Sequence, residues 1–187
     1  MKVWIIRHGE SETNKARQWT GWLDAPLTEK GRADAAMARD LLSRVQFDKI
    51  FTSDLSRAKS TAEIAIPACQ YEESDMLREI NVGSLAGKGA LDHTDEEKKK
   101  MLAGYAAYGG ESNAAFGNRV AAFAKKLEAM DYDRVAVFSH AGWLRVFLDH
   151  VLGERISRLN VHCKNCTVAI FDYEDGIWRL HSWINLS

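Results

Sequence analysis

Val3-Trp4-Ile5-Ile6-Arg7-His8-Gly9 opens the chain as a short apolar run that stops abruptly in Arg-His-Gly. Four consecutive apolar residues, three of them β-branched, read as a strand buried on both faces. Charge follows at once, so Arg7 and His8 are expected where that strand leaves its sheet. In an open α/β sheet that carboxyl edge is where ligands bind. The same pattern returns far downstream, in Val135-Ala136-Val137-Phe138-Ser139 followed by His140-Ala141-Gly142. Two buried strands, remote in sequence, are each expected to bring one histidine to one edge.

Between and beyond these strands the pattern alternates. Residues 10–26 are polar and read as a functional loop. Thr28 is a plausible N-cap for a helix over roughly 28–45, striped by Ala33, Met37, Leu41, Leu42 and Val45, with Gly31 a weak spot in its first turn. Residues 49–53 predict a strand, and Ser53 or Asp54 is placed to cap the helix that follows and stops before Pro67. Residues 70–80 are extended at best and 81–112 are irregular; the charged run 95–100 reads as a solvated helix face. Phe116, Val120, Phe123, Leu127 and Met130 stripe one helix; Leu144, Phe147, Leu148, Val151 and Leu152 stripe another, with Gly153 past its end. Asp175-Gly176 between two apolar alternations signals a closing hairpin. The expected fold is α/β: a three-layer α/β/α sandwich on a mostly parallel central sheet with a C-terminal hairpin, one domain over 1–187.

The 187 residues are 46% hydrophobic and 27% charged, with 25 Lys plus Arg against 26 Asp plus Glu. A net charge of −1 attracts neither nucleic acid nor an anionic membrane, so any anion site has to be a local cluster of positive charge. Three cysteines, an odd count, suit a reducing compartment, and no stretch nears the ~20 apolar residues of a membrane helix. A cytoplasmic protein is expected. Its oligomeric state is open, a homodimer included.

At the carboxyl edge Arg7 and His8 leave one strand, Ser53 leaves another with Arg57 just beyond it, and His140 leaves a third at a helix amino terminus. Two guanidiniums, two imidazoles and helix N–H groups make an anion pocket, and the arginine fork matches phosphate oxygens bidentately. A tetrahedral phosphoryl dianion is the natural occupant. A nucleophilic His8 needs a neutral ring, with its second nitrogen donating to a fixed acceptor such as the Gly9 carbonyl. His140 among phosphate oxygens is expected to favour its charged form. Cys163-Lys164-Asn165-Cys166 beside His162 is only half of a zinc site, and no metal is expected there.

Arg7-His8-Gly9-Glu10-Ser11-Glu12-Thr13-Asn14 resembles the signature of the histidine phosphatase superfamily, the phosphoglycerate-mutase-like proteins. The likeness continues in the same order through residues 20–28, 53–58, 77–83, 110–112 and 139–142, nearly the whole chain. The resemblance implies the phosphoglycerate mutase-like fold and a metal-independent phosphomonoesterase without a cofactor, acting on small phosphorylated substrates. It makes His8 the nucleophile that becomes a phosphohistidine, with Arg7, Arg57 and His140 around the phosphoryl oxygens. Glu79 is the implied general acid and base, although Glu10, Glu12 and Glu111 compete by residue type. Asn14, Thr20, Gly21 and Ala141 are implied substrate contacts.

Some positions depart from the family pattern. Leu85 and Ala86 stand where many family phosphatases carry Trp-Glu between glycines, and Ala141 stands where glycine is common and is expected to crowd the phosphate. Ile80 stands where the cofactor-dependent mutases carry an arginine for the substrate carboxylate. These features favour the phosphatase branch, resembling α-ribazole and broad-specificity phosphatases. The alternatives are a cofactor-dependent phosphoglycerate mutase and, in another class, a non-catalytic phosphate-ester-binding protein. Trp19 and Trp22 are open as pocket wall or as loop packing. The determinants of substrate choice are expected in 81–112.

Overall fold

A computed structural model of the chain describes residues 1–89, 94, 96, 101–153 and 161–186. Six strands form one sheet in the order β3-β2-β4-β1-β5-β6. They are β1 (Lys2–Arg7), β2 (Lys49–Ser53), β3 (Glu72–Ser74), β4 (Arg134–Ser139), β5 (Val168–Glu174) and β6 (Ile177–Ile184). The β3, β2, β4 and β1 pairings are parallel, and the β5–β6 hairpin adds antiparallel to β1. Its two-residue loop, Asp175-Gly176, has φ of 52° and 74°, the doubly positive turn that matches strand twist.

The central strands are buried on both faces because alternate side chains enter two different cores. Val3, Ile5, Val135 and Val137 point into one, packed with Phe116, Phe123, Trp143 and Phe147. Trp4, Ile6, Ala136 and Phe138 point into the other, against Ala38, Leu42, Ala62 and Ala65. The helices thus split by face. On one side lie α2 (Glu29–Leu42) and α3 (Ser56–Ala65), with small alanines letting them approach closely; on the other lie α4 (Asn113–Glu128) and α5 (Ala141–Leu152).

Local chemistry sets most boundaries. Thr28 caps α2 by accepting from the Gly31 N–H, Ser112 caps α4 through Ala115, and left-handed Gly153 ends α5. Helix α2 closes at Leu42, short of Val45, and α4 closes before Met130. The polar loop after β1 contains a short helix, α1 (Glu12–Lys15), because Ser11 and Asn14 form a reciprocal capping box. Neither Ser53 nor Asp54 caps α3. Leu55 is the N-cap with no side-chain bond, and Asp24 from a remote loop accepts from the Ser56 N–H and hydroxyl instead. Of the charged run 95–100, all but Glu96 lies outside the described residues. Among the described residues no helix is long and apolar enough to cross a membrane.

Gly31 is a close-packing position rather than a weak spot. A Cβ there would stand 2.0 Å from the Glu10 carbonyl oxygen, and one on Gly9 would stand 2.2 Å from the Gly31 carbonyl oxygen. Two glycines therefore let the first turn of α2 press against the backbone just after His8.

Candidate active site

The register of β1 on β4 pairs Arg7 with Ser139, so the next residues, His8 and His140, leave the sheet side by side. The His8 N–H donates to the Ser139 carbonyl at 3.0 Å, and the two imidazole centroids lie 5.1 Å apart at 62°. Above them is a cavity of about 240 Å³. Arg7, His8, Asn14, Thr20, Gly21, Arg57, Glu79 and Ala141 all line it.

His8 is buried, and its Nδ1 lies 2.6 Å from the Gly9 carbonyl oxygen. A carbonyl can only accept, so Nδ1 carries the proton and, in the neutral ring, Nε2 carries the lone pair. Burial pushes the ring well below the usual imidazole value, helped by the Arg57 and Arg7 charges, while the Gly9 bond opposes more weakly. The neutral tautomer with its lone pair on Nε2 is thus built into the fold.

His140 lies beside His8 at the same strand edge. It is fully buried, its ring packed edge-on against that of His8, and its Nε2 bonds Ser53 Oγ at 2.9 Å. Its Nδ1 is buried with no hydrogen-bond partner. Burial lowers its pKa well below 6.5, with Arg57, His8 and Arg7 acting in the same direction, so the protein alone favours the neutral ring rather than the charged one.

Arg7 Nη1 donates to the Cys163 carbonyl, and Arg57 donates to the carbonyls of Gly21 and Leu23 at 2.8 and 2.9 Å. Neither guanidinium has a carboxylate ion-pair partner among the described residues. Burial lowers both, Arg57 to about 10, which leaves Arg57 protonated near neutrality. One buried and one half-buried cation, held only by neutral carbonyls, make a site complementary to an anion.

Glu79 lies on the stretch after a short 3₁₀ turn, with its backbone fixed from α4. Arg119 donates to the carbonyls of Met76, Arg78 and Glu79, and also binds Glu111 through two nitrogens. The carboxylate accepts from the Ile80 N–H and the Gly142 N–H, both at 2.9 Å. A Cβ at Gly142 would stand 2.2 Å from Glu79 Oε1, so glycine is what lets the start of α5 reach the acid. The competing carboxylates are placed elsewhere. Glu111 is paired with Arg119, Glu10 accepts from the Thr28 hydroxyl, and Glu12 is exposed in the first turn of α1.

The geometry agrees with a family comparison. A model described as the histidine phosphatase superfamily, branch 1, matches residues 3–186. The chain belongs to this superfamily. A relative from Salmonella paratyphi A, described as a probable phosphoglycerate mutase GpmB, is 32% identical over 198 aligned residues, covering 98% of this chain and 90% of the relative. The solved α-ribazole phosphatase of Shigella flexneri superposes with a TM-score of 0.87 at 26% identity, covering 100% of this chain and 98% of that one. TTHB049 of Thermus thermophilus superposes at 0.79 with 32% identity, covering 98% and 99%.

Several parts of this histidine phosphatase site carry no signal readable from the linear sequence. The 163–166 loop is one: Cys163 supplies the Arg7 acceptor, while the Cys166 N–H and Asn165 Nδ2 both donate to the His8 carbonyl. Asn165 also reaches Asn14 Oδ1 at 3.3 Å. The cysteine spacing therefore serves a backbone clamp, and burial pushes both thiols up, Cys166 to about 12. Arg119 is a second example, visible beforehand only as one polar residue on an amphipathic helix. Tyr105, Ile80, Val82 and Arg145 also line the cavity. The two tryptophans divide. Trp19 is on the wall against Tyr105, whereas Trp22 lies outside it, donating to the Glu79 carbonyl under the Arg78 guanidinium.

Proposed function

We propose that the protein is a metal-independent phosphomonoesterase of small phosphorylated metabolites, working through a phosphohistidine on His8. The observation that carries this reading is the neutral His8 ring on one cavity with Arg7 and Arg57, neither paired to a carboxylate among the described residues, and with the Glu79 carboxylate. The Nε2 lone pair forms the N–P bond as the P–O bond to the leaving group breaks, and Glu79 delivers its proton to the departing oxygen. Arg7 and Arg57 neutralise charge on the equatorial oxygens throughout, which gives the charge stabilisation phosphoryl transfer needs. Water then attacks phosphorus while Glu79 takes its proton, the N–P bond breaks, and inorganic phosphate leaves. Asn14, Thr20, Gly21 and Ala141 are proposed contacts of the phosphate or the substrate. His140 is proposed to act on the phosphoryl group through its unpartnered Nδ1. The segment 81–112, which supplies Val82 and Tyr105 to the wall, is proposed as the substrate side of a single catalytic domain.

His8→Ala should lower hydrolysis of p-nitrophenyl phosphate by at least about 10⁴-fold with an unchanged circular dichroism spectrum. It should also abolish acid-labile phosphate on the protein in a rapid quench. Substantial residual turnover would mean another nucleophile, and inhibition of the native enzyme by EDTA would contradict metal independence. A second reading, cofactor-dependent phosphoglycerate mutase, is favoured by the name of the Salmonella relative. It requires isomerisation of 3-phosphoglycerate stimulated by 2,3-bisphosphoglycerate, which a coupled assay detects.

A further inference from the structure

Three guanidiniums border the cavity, and they are held differently. Arg7 and Arg57 are fixed by backbone carbonyls. Arg145, one turn into α5 on the same wall, has no hydrogen bond and no carboxylate partner among the described residues, and its Nε is buried without an acceptor. A buried N–H with nothing to donate to is costly, and a partner from the ligand would remove that cost. Neighbouring carboxylates do not serve: Glu111 is committed to Arg119, Asp54 to Arg78, and Glu79 to two backbone N–H groups. The other wall residues nearby, Trp19, Ile80, Val82 and Tyr105, bring no charge.

The charge inventory goes further. Arg7 and Arg57 suffice to neutralise a transferred phosphoryl dianion. Glu79 is held by two backbone N–H groups, and no ion pair joins it to the third guanidinium among the described residues. Its lack of a carbonyl anchor also leaves it able to follow groups that differ between substrates, as the two anchored arginines are not. We propose that Arg145 is a specificity residue that binds a second anionic group of the substrate, a carboxylate or a phosphate a few bonds from the phosphoryl group. This assignment rests on the reading of the cavity as a phosphomonoester site.

Binding of non-hydrolysable probes tests it without turnover. Titration calorimetry would compare propylphosphonate, 3-phosphonopropionate and propane-1,3-bisphosphonate on the native protein, Arg145→Gln and Arg145→Lys. The native protein should bind at least one of the doubly charged probes about tenfold or more tighter than propylphosphonate, and which probe wins identifies carboxylate or phosphate. Arg145→Gln should erase that gap, and Arg145→Lys, keeping the charge without the planar fork, should restore part of it. Equal affinities in the native protein, or a gap that survives in Arg145→Gln, would overturn the assignment while leaving hydrolysis of p-nitrophenyl phosphate to stand. Failure of the native protein to bind any probe would overturn the assignment together with the anion site.

Discussion

The two ends of the parallel strands treat charge in opposite ways. At the amino end, Lys49 and Lys126 both reach Glu72, at 2.9 and 2.8 Å, Lys2 lies 3.4 Å from Asp172, and Asp48 accepts from the Asp133 and Arg134 N–H groups. These groups are partly exposed, so each pairing is worth little. At the carboxyl end, Arg57 is buried and Arg7 half-buried, both held only by carbonyl oxygens, with Arg145 beside them on the wall. A paired surface charge is satisfied within the chain. A buried cation without a carboxylate is satisfied only when an anion arrives, and that separates a binding edge from a merely polar one.

The largest break in this contrast comes from removing one unpaired cation. Arg57→Ala should lower kcat/KM for p-nitrophenyl phosphate about 10³-fold, roughly 4 kcal/mol of lost charge stabilisation. It should also move the acidic limb of the pH profile upward. Burial would still depress His8, but the Arg57 charge that helps hold the ring neutral would be gone. A loss below tenfold, with an unmoved limb, would reduce Arg57 to an anchor for the Gly21–Leu23 loop.

Gly142→Ala comes next. The added methyl group would enter the space of Glu79 Oε1, so kcat should fall about 10–100-fold for alkyl phosphates. Aryl phosphates, whose leaving groups need less protonation, should lose less. Equal losses for the two classes would argue that Glu79 is not the proton donor.

The buried imidazoles also make stability depend on pH. His8 and His140 are lowered from 6.5 in the folded chain, so the unfolded chain binds more protons as the pH drops below that value. Their neutral burial costs nothing extra above about pH 6.5. Stability is lost as the pH falls toward the folded-state values, by roughly 1 kcal/mol per histidine per pH unit. Melting temperature followed from pH 7 to 5 should fall, and His8→Gln or His140→Gln should flatten the slope. A slope unchanged by either substitution would mean that other groups govern it.

The smallest effect belongs to the paired edge. Lys49→Met should change stability by less than about 1 kcal/mol and leave hydrolysis within twofold. A larger loss of activity would mean that the two ends of the sheet are coupled.

Much of this arrangement is legible in residue order because the signals are local. Val3–Ile6 and Val135–Phe138 are buried on both faces as their runs imply, and Asp175-Gly176 turns the hairpin. Where local reading failed, a remote group supplied the bond. Asp24, not Ser53 or Asp54, caps α3, and the Glu10 and Gly31 backbones, too close for any Cβ between them, explain a glycine that looks weak within its own helix.

From the sequence alone came the α/β alternation, the pairing of two histidine-bearing strand ends, and the block order that resembles the superfamily. Hydrophobic periodicity and turn chemistry are properties of neighbouring residues, so a linear reading captures them. Only the tertiary structure decided that Glu79 rather than Glu10, Glu12 or Glu111 faces the cavity, that His140 bonds Ser53, and that Cys163, Asn165 and Arg119 hold Arg7, His8 and Glu79 in place. Those outcomes depend on hydrogen bonds between residues tens of positions apart, whose partners become neighbours only after the chain has folded.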